Sequence, residues 1–251
     1  MVYFVGAGPG AVDLITVRGK KLLEEADLIV YAGSLVNPAL LDFARPGCVK
    51  KNSAHMTLEQ VVEAMAPFAR QGKTVVRLHT GDPSVFGAIR EQMDALKSRG
   101  IPFRVVPGVS SFCGAAAALG AEYTLPGVSQ TVILTRLAGR TPVPPRESIR
   151  SLSEHRSSMA VFLSAGMTGR LKEELLAGGY PADTPAAIVY KATWPDEKIV
   201  RGTVARLPEM TEQAGITKTA LILVGGFLGE DYERSRLYDP SFSHGFREKS
   251  V

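Results

Sequence analysis

The sequence predicts an α/β protein of two domains, the first built on a mostly parallel sheet and the second on a mixed one. Three observations carry this. In the first half, apolar β-branched runs alternate with segments of helical spacing, the pattern that lays helices over a parallel sheet. In the second half such runs follow one another with fewer helices between them. Between the halves, Gly120 to Gly127 breaks the periodicity with glycine, proline and polar residues. The expected boundaries are a first domain over 1–119, a linker over 120–130 and a second domain over 131–251.

The elements follow in order. Val2 to Val5 is a strand, ending in the glycine-rich turn Gly6-Ala7-Gly8-Pro9-Gly10. Thr16 is placed to cap a helix over Val17 to Glu25, and Leu28 to Tyr31 is the next strand. A short strand near Val49 leads to Thr57, which with Gln60 three residues on forms a capping-box signal for a helix through Ala69. Thr74-Val75-Val76 reads as a buried strand, followed by a turn over Arg77 to Gly87 and a helix over Ala88 to Lys97. In that turn Gly81 allows positive φ, Asp82 suits a helix cap and Pro83 suits the first helical position. Phe103 to Val106 is a strand, and Pro107-Gly108-Val109-Ser110-Ser111 leads into a small-residue helix, Phe112 to Leu119. Beyond the break come strands at Thr131–Arg136, Met159–Leu163, Ala186–Tyr190 and Ala220–Val224, a helix near Thr168 to Leu176 and a shorter strand at Lys198–Thr203.

Composition narrows the function classes. The 251 residues are 45% hydrophobic and 22% charged, with a net charge of +4 spread without a block of like charges. This fits an anionic small molecule and gives nucleic acid little support. The two cysteines, Cys48 and Cys113, form no CxxC pair, and the four histidines have no metal-ligand spacing. The chain opens directly into a strand with no signal-like segment, and no apolar run approaches the roughly 18 residues of a membrane span. The expectation is a cytoplasmic protein that binds neither membrane nor metal.

The turns at strand carboxyl ends are where open α/β sheets bind ligands. The first of them resembles a dinucleotide fingerprint, but three details argue against a nicotinamide site. Pro9 removes an N–H, Ala11 stands for the third glycine, and the second strand ends in Tyr31-Ala32-Gly33 with no acid for a ribose. Arg136 and Arg140, in a loop after a second-domain strand, are candidates for substrate carboxylates, because guanidinium pairs with them bidentately. His55, in a polar loop, is a further candidate for a substrate contact, while His79 alternates with strand neighbours and reads as structural. Cys113 reads as a small helix residue. No residue stands out as a catalytic base. The residues alone leave a nicotinamide oxidoreductase and a pure binding protein open.

Taken together, Gly6-x-Gly8-Pro9-Gly10, Arg77-Leu78-x-x-Gly81-Asp82-Pro83 and Pro107-Gly108-x-Ser110-Ser111, in this order, resemble the tetrapyrrole methylases. Three further stretches are similar to members that methylate carbon 11 of a corrinoid precursor: Tyr31 to Val36 with Ser53 to Thr57, Thr135-Arg136-x-x-Gly139-Arg140-Thr141-Pro142, and the tail Arg236 to Gly245. One departure is His55, standing where a smaller residue is expected. The resemblance implies two α/β domains with S-adenosylmethionine in the cleft between them, usually in a homodimer, and methylation of a tetrapyrrole in cobalamin biosynthesis, with another ring position, of the uroporphyrinogen type, as the alternative. Carried over by motif, Pro9, Thr80, Gly81, Asp82, Val85, Ser110 and Ser111 meet the cofactor from the first domain. Leu163, Ser164, Ala165, Ala192, Thr193, Thr219 and Ala220 meet it from the second, and Ser34 joins His55, Arg136 and Arg140 on the substrate side.

Overall fold

The structure is a computed structural model that describes residues 1–33 and 35–248. The chain divides into two compact units, one of residues 1–115 with 191–197, the other of residues 116–190 with 198–251.

The first unit is a sheet of five parallel strands in the order β3-β2-β4-β1-β5. Its elements run β1 (Val2–Gly6), α1 (Val17–Glu25), β2 (Leu28–Tyr31), β3 (Val49–Asn52), α2 (Leu58–Arg70), β4 (Val75–His79), α3 (Ile89–Lys97), β5 (Phe103–Val106) and the first half of α4 (Ser111–Leu119). Strand alternation sends Val5, Ile29, Val76 and Leu78 to a core shared with Leu22 and Leu23 of α1. It sends Phe4, Val30 and Val75 to the opposite core, with Val62 and Met65 of α2 and Leu96 of α3. The caps form as expected. Thr16 accepts from the Gly19 N–H at 3.1 Å, and Thr57 with Gln60 makes the reciprocal capping box.

The turn before α3 differs from the sequence reading. The strand before it continues through Arg77 and His79, both buried, and the helix begins at Ile89, one residue after the expected start. Asp82 and Pro83 therefore lie in a separate turn. The Asp82 carboxylate accepts from the Ser84 N–H at 2.8 Å instead of capping the helix, a local turn that competes with helix initiation.

The second unit is a mixed sheet in the order β6-β7-β10-β8-β9. Its elements are β6 (Val132–Arg136), α5 (Ile149–Ser153), β7 (Ser158–Phe162), α6 (Thr168–Ala177), β8 (Pro185–Tyr190), β9 (Lys198–Thr203), α7 (Leu207–Ala214) and β10 (Ala220–Val224). Only β6 and β7 run parallel; β10 is antiparallel to β7 and β8, and β8 to β9. Ile149, Leu171, Leu175, Leu207 and Met210 close a core over Met159, Val161, Ile188, Ile222 and Val224. The stretch 120–130 is packed into this unit: the Tyr123 ring lies 4.8 Å from that of Phe227, and its carbonyl accepts from the Ser158 hydroxyl at 2.6 Å.

Candidate functional site

In the first unit all strands are parallel, so the turns after β1, β4 and β5 emerge at one edge. Backbone packing joins them. Gly81 donates to the Gly8 carbonyl at 2.9 Å and accepts from the Gly8 N–H at 3.3 Å. A Cβ on Gly6 would lie 2.5 Å from the Gly108 Cα, and one on Gly108 would lie 2.7 Å from the Gly6 Cα. Such approach excludes side chains at both positions. Gly81 has φ +59°, and a Cβ there would meet Ser110 and Ser111 at 3.5 Å, an ordinary contact. The glycine requirement at Gly81 is therefore conformational, whereas at Gly6 and Gly108 it is steric.

Asp82 ties two of these turns. Its carboxylate accepts from the Gly108 N–H at 2.9 Å, and from the Ser84 N–H at 2.8 Å and the Ser84 hydroxyl at 2.5 Å. Burial pushes this carboxyl up, but the hydrogen bonds from Ser84 and Gly108 outweigh it and hold it below its ordinary value. A carboxylate so satisfied suits holding the turn better than accepting a proton. Thr80 and Val85 are half-buried on the same turn, Ser110 is buried, and Ser111 opens α4.

The segment 191–197 clamps the first turn. The Trp194 indole donates to the Pro9 carbonyl at 3.1 Å, and the Thr193 hydroxyl accepts from the Ala11 N–H at 3.0 Å. Asn37 donates to the Gly10 carbonyl at 2.8 Å from the other direction. A Cβ on Gly10 would fall well inside 3.0 Å of the Trp194 ring, which explains the glycine there. Glu197 accepts from the Thr193 N–H at 2.6 Å, and Lys191 pairs with Asp196 at 2.6 Å while lying 5.1 Å from the Trp194 ring centroid. Sequence reading picked out Ala192 and Thr193 but not Trp194 or Asn37. The one tryptophan of the chain, set in a polar stretch, was the available signal.

Registers gather the second unit's candidates at one end of its sheet. Arg136 pairs with Phe162, the residue before Leu163; Ala220, which begins β10, pairs with Tyr190. So the Arg136–Arg140 loop, Leu163–Ala165 and Thr219–Ala220 share that end. Ser164 is fully buried and its hydroxyl is engaged, accepting from the Leu137 N–H at 3.0 Å and donating to the Phe162 carbonyl at 2.7 Å. Ala165 is buried, whereas Leu163 is 66% exposed.

Backbone strain marks the same residues. Among the described residues, the non-glycine positions with positive φ are Phe86, Ala88, Arg156, Leu163, Lys191, Thr193 and Thr219. Leu163, Thr193 and Thr219 are candidate cofactor residues, and Phe86 and Lys191 adjoin Val85 and Ala192. Holding such conformations costs of order 1–3 kcal/mol each and concentrates at functional sites. This observation is independent of any sequence motif.

The substrate-side candidates divide. Arg136 is occupied by its own loop, donating to the carbonyls of Leu137 at 3.1 Å, Thr141 at 3.2 Å and Pro142 at 2.8 Å. Arg140 is exposed. His55 is exposed beside a groove lined by Lys51, Met56, Gln60 and Glu63. Ser34 lies outside the described residues. A nicotinamide site gains nothing: Asp27 lies before β2, where it holds Arg45 at 2.5 Å and the Thr74 N–H at 2.8 Å. Among the described residues no group of His, Cys, Asp and Glu is arranged to hold a metal ion, and no helix is long and apolar enough to cross a membrane.

Glycine turns with engaged backbone and a satisfied carboxylate characterise the candidate site, and no acid–base pair is assembled there among the described residues. Comparison with known proteins gives the family. Residues 1–208 match the tetrapyrrole (corrin/porphyrin) methylases, and the chain belongs to that family. It is 52% identical to the cobalt-precorrin-4 C(11)-methyltransferase of Methanocaldococcus jannaschii, over 98% of this chain and 96% of that protein. It is similar to the X-ray structure of a cobalamin biosynthetic enzyme, cobalt precorrin-4 methyltransferase, with TM-score 0.89, 50% identity and coverage of 91% of this chain and 96% of that one. It is also similar to uroporphyrin-III C-methyl transferase from Thermus thermophilus in complex with S-adenosylhomocysteine, with TM-score 0.75, 28% identity and coverage of 90% and 92%.

Proposed function

We propose that this chain transfers a methyl group from S-adenosylmethionine to carbon 11 of a corrinoid precursor, cobalt-precorrin-4 or its cobalt-free form, in cobalamin biosynthesis. The observation that carries the proposal is the 52% identity to a cobalt-precorrin-4 C(11)-methyltransferase across nearly the whole length of both proteins. The same reading takes the protein as a homodimer, on the strength of the family resemblance, and as cytoplasmic, on the strength of its sequence composition.

The site's chemistry suits this reaction. Bound S-adenosylmethionine supplies a methyl group already activated by a sulfonium, and the electron-rich ring carbon is the nucleophile. What falls to the chain is alignment and exclusion of water, which supply up to about 7–11 kcal/mol. Thr80, Gly81 and Asp82, with Val85, Ser110, Ser111 and Pro9, would hold the donor in the first unit. Gly8, Gly108 and Trp194 fix those turns so that little reorganisation remains. In the second unit, Leu163, Ala165, Thr219 and Ala220 are the cofactor candidates, and of the substrate arginines Arg140 is favoured, because it is exposed whereas Arg136 donates to its own loop.

Titration calorimetry tests the class. S-adenosylhomocysteine should bind and NADH should not, since Pro9 offers no N–H to a pyrophosphate and β2 ends without an acid. NADH binding as tight as that of S-adenosylhomocysteine would contradict the proposal.

A further inference from the structure

Arg77 and Gln92 play no part in the reading so far, yet both are buried. Arg77 lies on β4, in the same stretch of chain as Thr80 and N-terminal to it. Among the described residues its guanidinium makes no ion pair. Its Nε donates to the Gln92 Oε1 at 3.0 Å and its Nη1 to the Val30 carbonyl at 3.3 Å. Burying a cation without a carboxylate is unfavourable, and an apolar pair would fill the same space at lower cost. The arrangement invites the question of what Gln92 does for the fold that an apolar residue would not.

Arginine only donates, so the Gln92 oxygen faces it and the amide nitrogen is turned away to donate elsewhere. It donates to the Ala88 carbonyl at 3.0 Å. Ala88 precedes α3, has φ +48°, and receives no side-chain cap. Phe86 is also left-handed, at φ +53°. Between them Gly87 packs so closely on the Pro83 carbonyl that a Cβ has no room. The turn from Thr80 to Ala88 is thus strained at its far end and anchored there by Gln92. At its near end Asp82 anchors it to the Gly108 N–H at 2.9 Å.

We propose that Arg77 and Gln92 are positioning residues: Arg77 orients the Gln92 amide, Gln92 holds Ala88 in its left-handed conformation, and the pair thereby sets the shape of the turn that meets the methyl donor. This rests on reading Thr80, Gly81 and Asp82 as donor contacts. Glutamate at 92 separates the two bonds. It still accepts from Arg77, now as a charged partner, but cannot donate to Ala88.

The experiment compares the full-length parent with Gln92→Glu, Gln92→Glu/Ala88→Gly and Gly81→Val, measuring the melting temperature and the S-adenosylhomocysteine dissociation constant on each preparation. Gln92→Glu should melt at or above the parent while binding about three- to tenfold more weakly, the worth of one hydrogen bond. A purely structural role would move the two together. Ala88→Gly in that background should recover affinity, because glycine adopts the left-handed conformation without a tether. Gly81→Val tests the reading beneath: if it binds like the parent, the turn is not a donor site and the proposal falls with it. If Gly81→Val loses binding while Gln92→Glu binds within twofold of the parent, the relay alone is overturned.

Discussion

Acidification should destabilise this protein through His79 in a way that one substitution removes. His79 ends β4 with 5% of its surface exposed, its Nε2 has no hydrogen-bond partner among the described residues, and Phe4 lies 6.0 Å away, centroid to centroid. Burial first, and the Arg77 charge second, push its pKa down to about 3. The folded value lies below the unfolded one, so between them the unfolded chain binds the extra proton. The stability is therefore present in full above about pH 6.5 and is lost as pH falls toward the folded value. Each pH unit in that window costs about 1.4 kcal/mol, so the loss between pH 7.5 and 5 is about 2 kcal/mol. His79→Leu keeps the strand position and its apolar face, and removes both the titration and the unpartnered nitrogen. Urea unfolding of parent and variant at pH 7.5 and 5 measures the difference directly, since the other histidines and all carboxylates are common to both. The parent should lose about 2 kcal/mol more than the variant on acidification. Equal losses would show that His79 titrates normally or is charged in the fold.

The remaining predictions concern the site. Gly10→Ala should drive the Trp194 ring from the Pro9 carbonyl; because Trp194 is the one tryptophan of the chain, the emission maximum should shift to the red and S-adenosylhomocysteine binding should weaken, and an unchanged spectrum would remove the clamp. Arg140→Ala should raise the KM for the tetrapyrrole about ten- to hundredfold with cofactor affinity intact, read from steady-state kinetics. Arg136→Ala should instead lower the melting temperature, because it releases three loop carbonyls. Gly108→Ala should cost about 1–3 kcal/mol in urea unfolding, since its Cβ would press on the backbone of Gly6 and Gly81.

Much of the fold was legible because its strands are apolar runs and its helices carry local caps. Thr16, Thr57 and Gln60 announced α1 and α2 through interactions within a few residues of chain. Where an interaction spans the chain, that legibility ended. Arg77 carries a polar side chain in a buried strand, so the stretch from it onward read as a turn even though His79 alternates with strand neighbours. Asp82-Pro83 has the composition of a helix start, but the Asp82 carboxylate is drawn to Ser84 and to Gly108, which lies 26 residues on. The α7 helix, Leu207–Ala214, was not read; Pro208 sits in its first turn, where it is tolerated but masks the apolar spacing. In the site, the glycine and serine turns were identified as motifs, while what makes them rigid was not. The Trp194 indole reaches Pro9 across 185 residues, and no local pattern encodes such a bond. Ser164 was a candidate only through the family resemblance; its burial, with its hydroxyl bonded to Leu137 and Phe162, is a property of the folded unit that no local pattern shows.

The most direct test of the central claim is to incubate the protein with S-adenosylmethionine carrying a carbon-13 methyl and with cobalt-precorrin-4 or precorrin-4, then to record the product's mass and carbon NMR spectrum. The account predicts one labelled methyl per macrocycle, attached at carbon 11, formed only when protein is present. A labelled methyl at another ring carbon would contradict the assigned position, and the absence of any transfer to either macrocycle would contradict the methyltransferase reading itself.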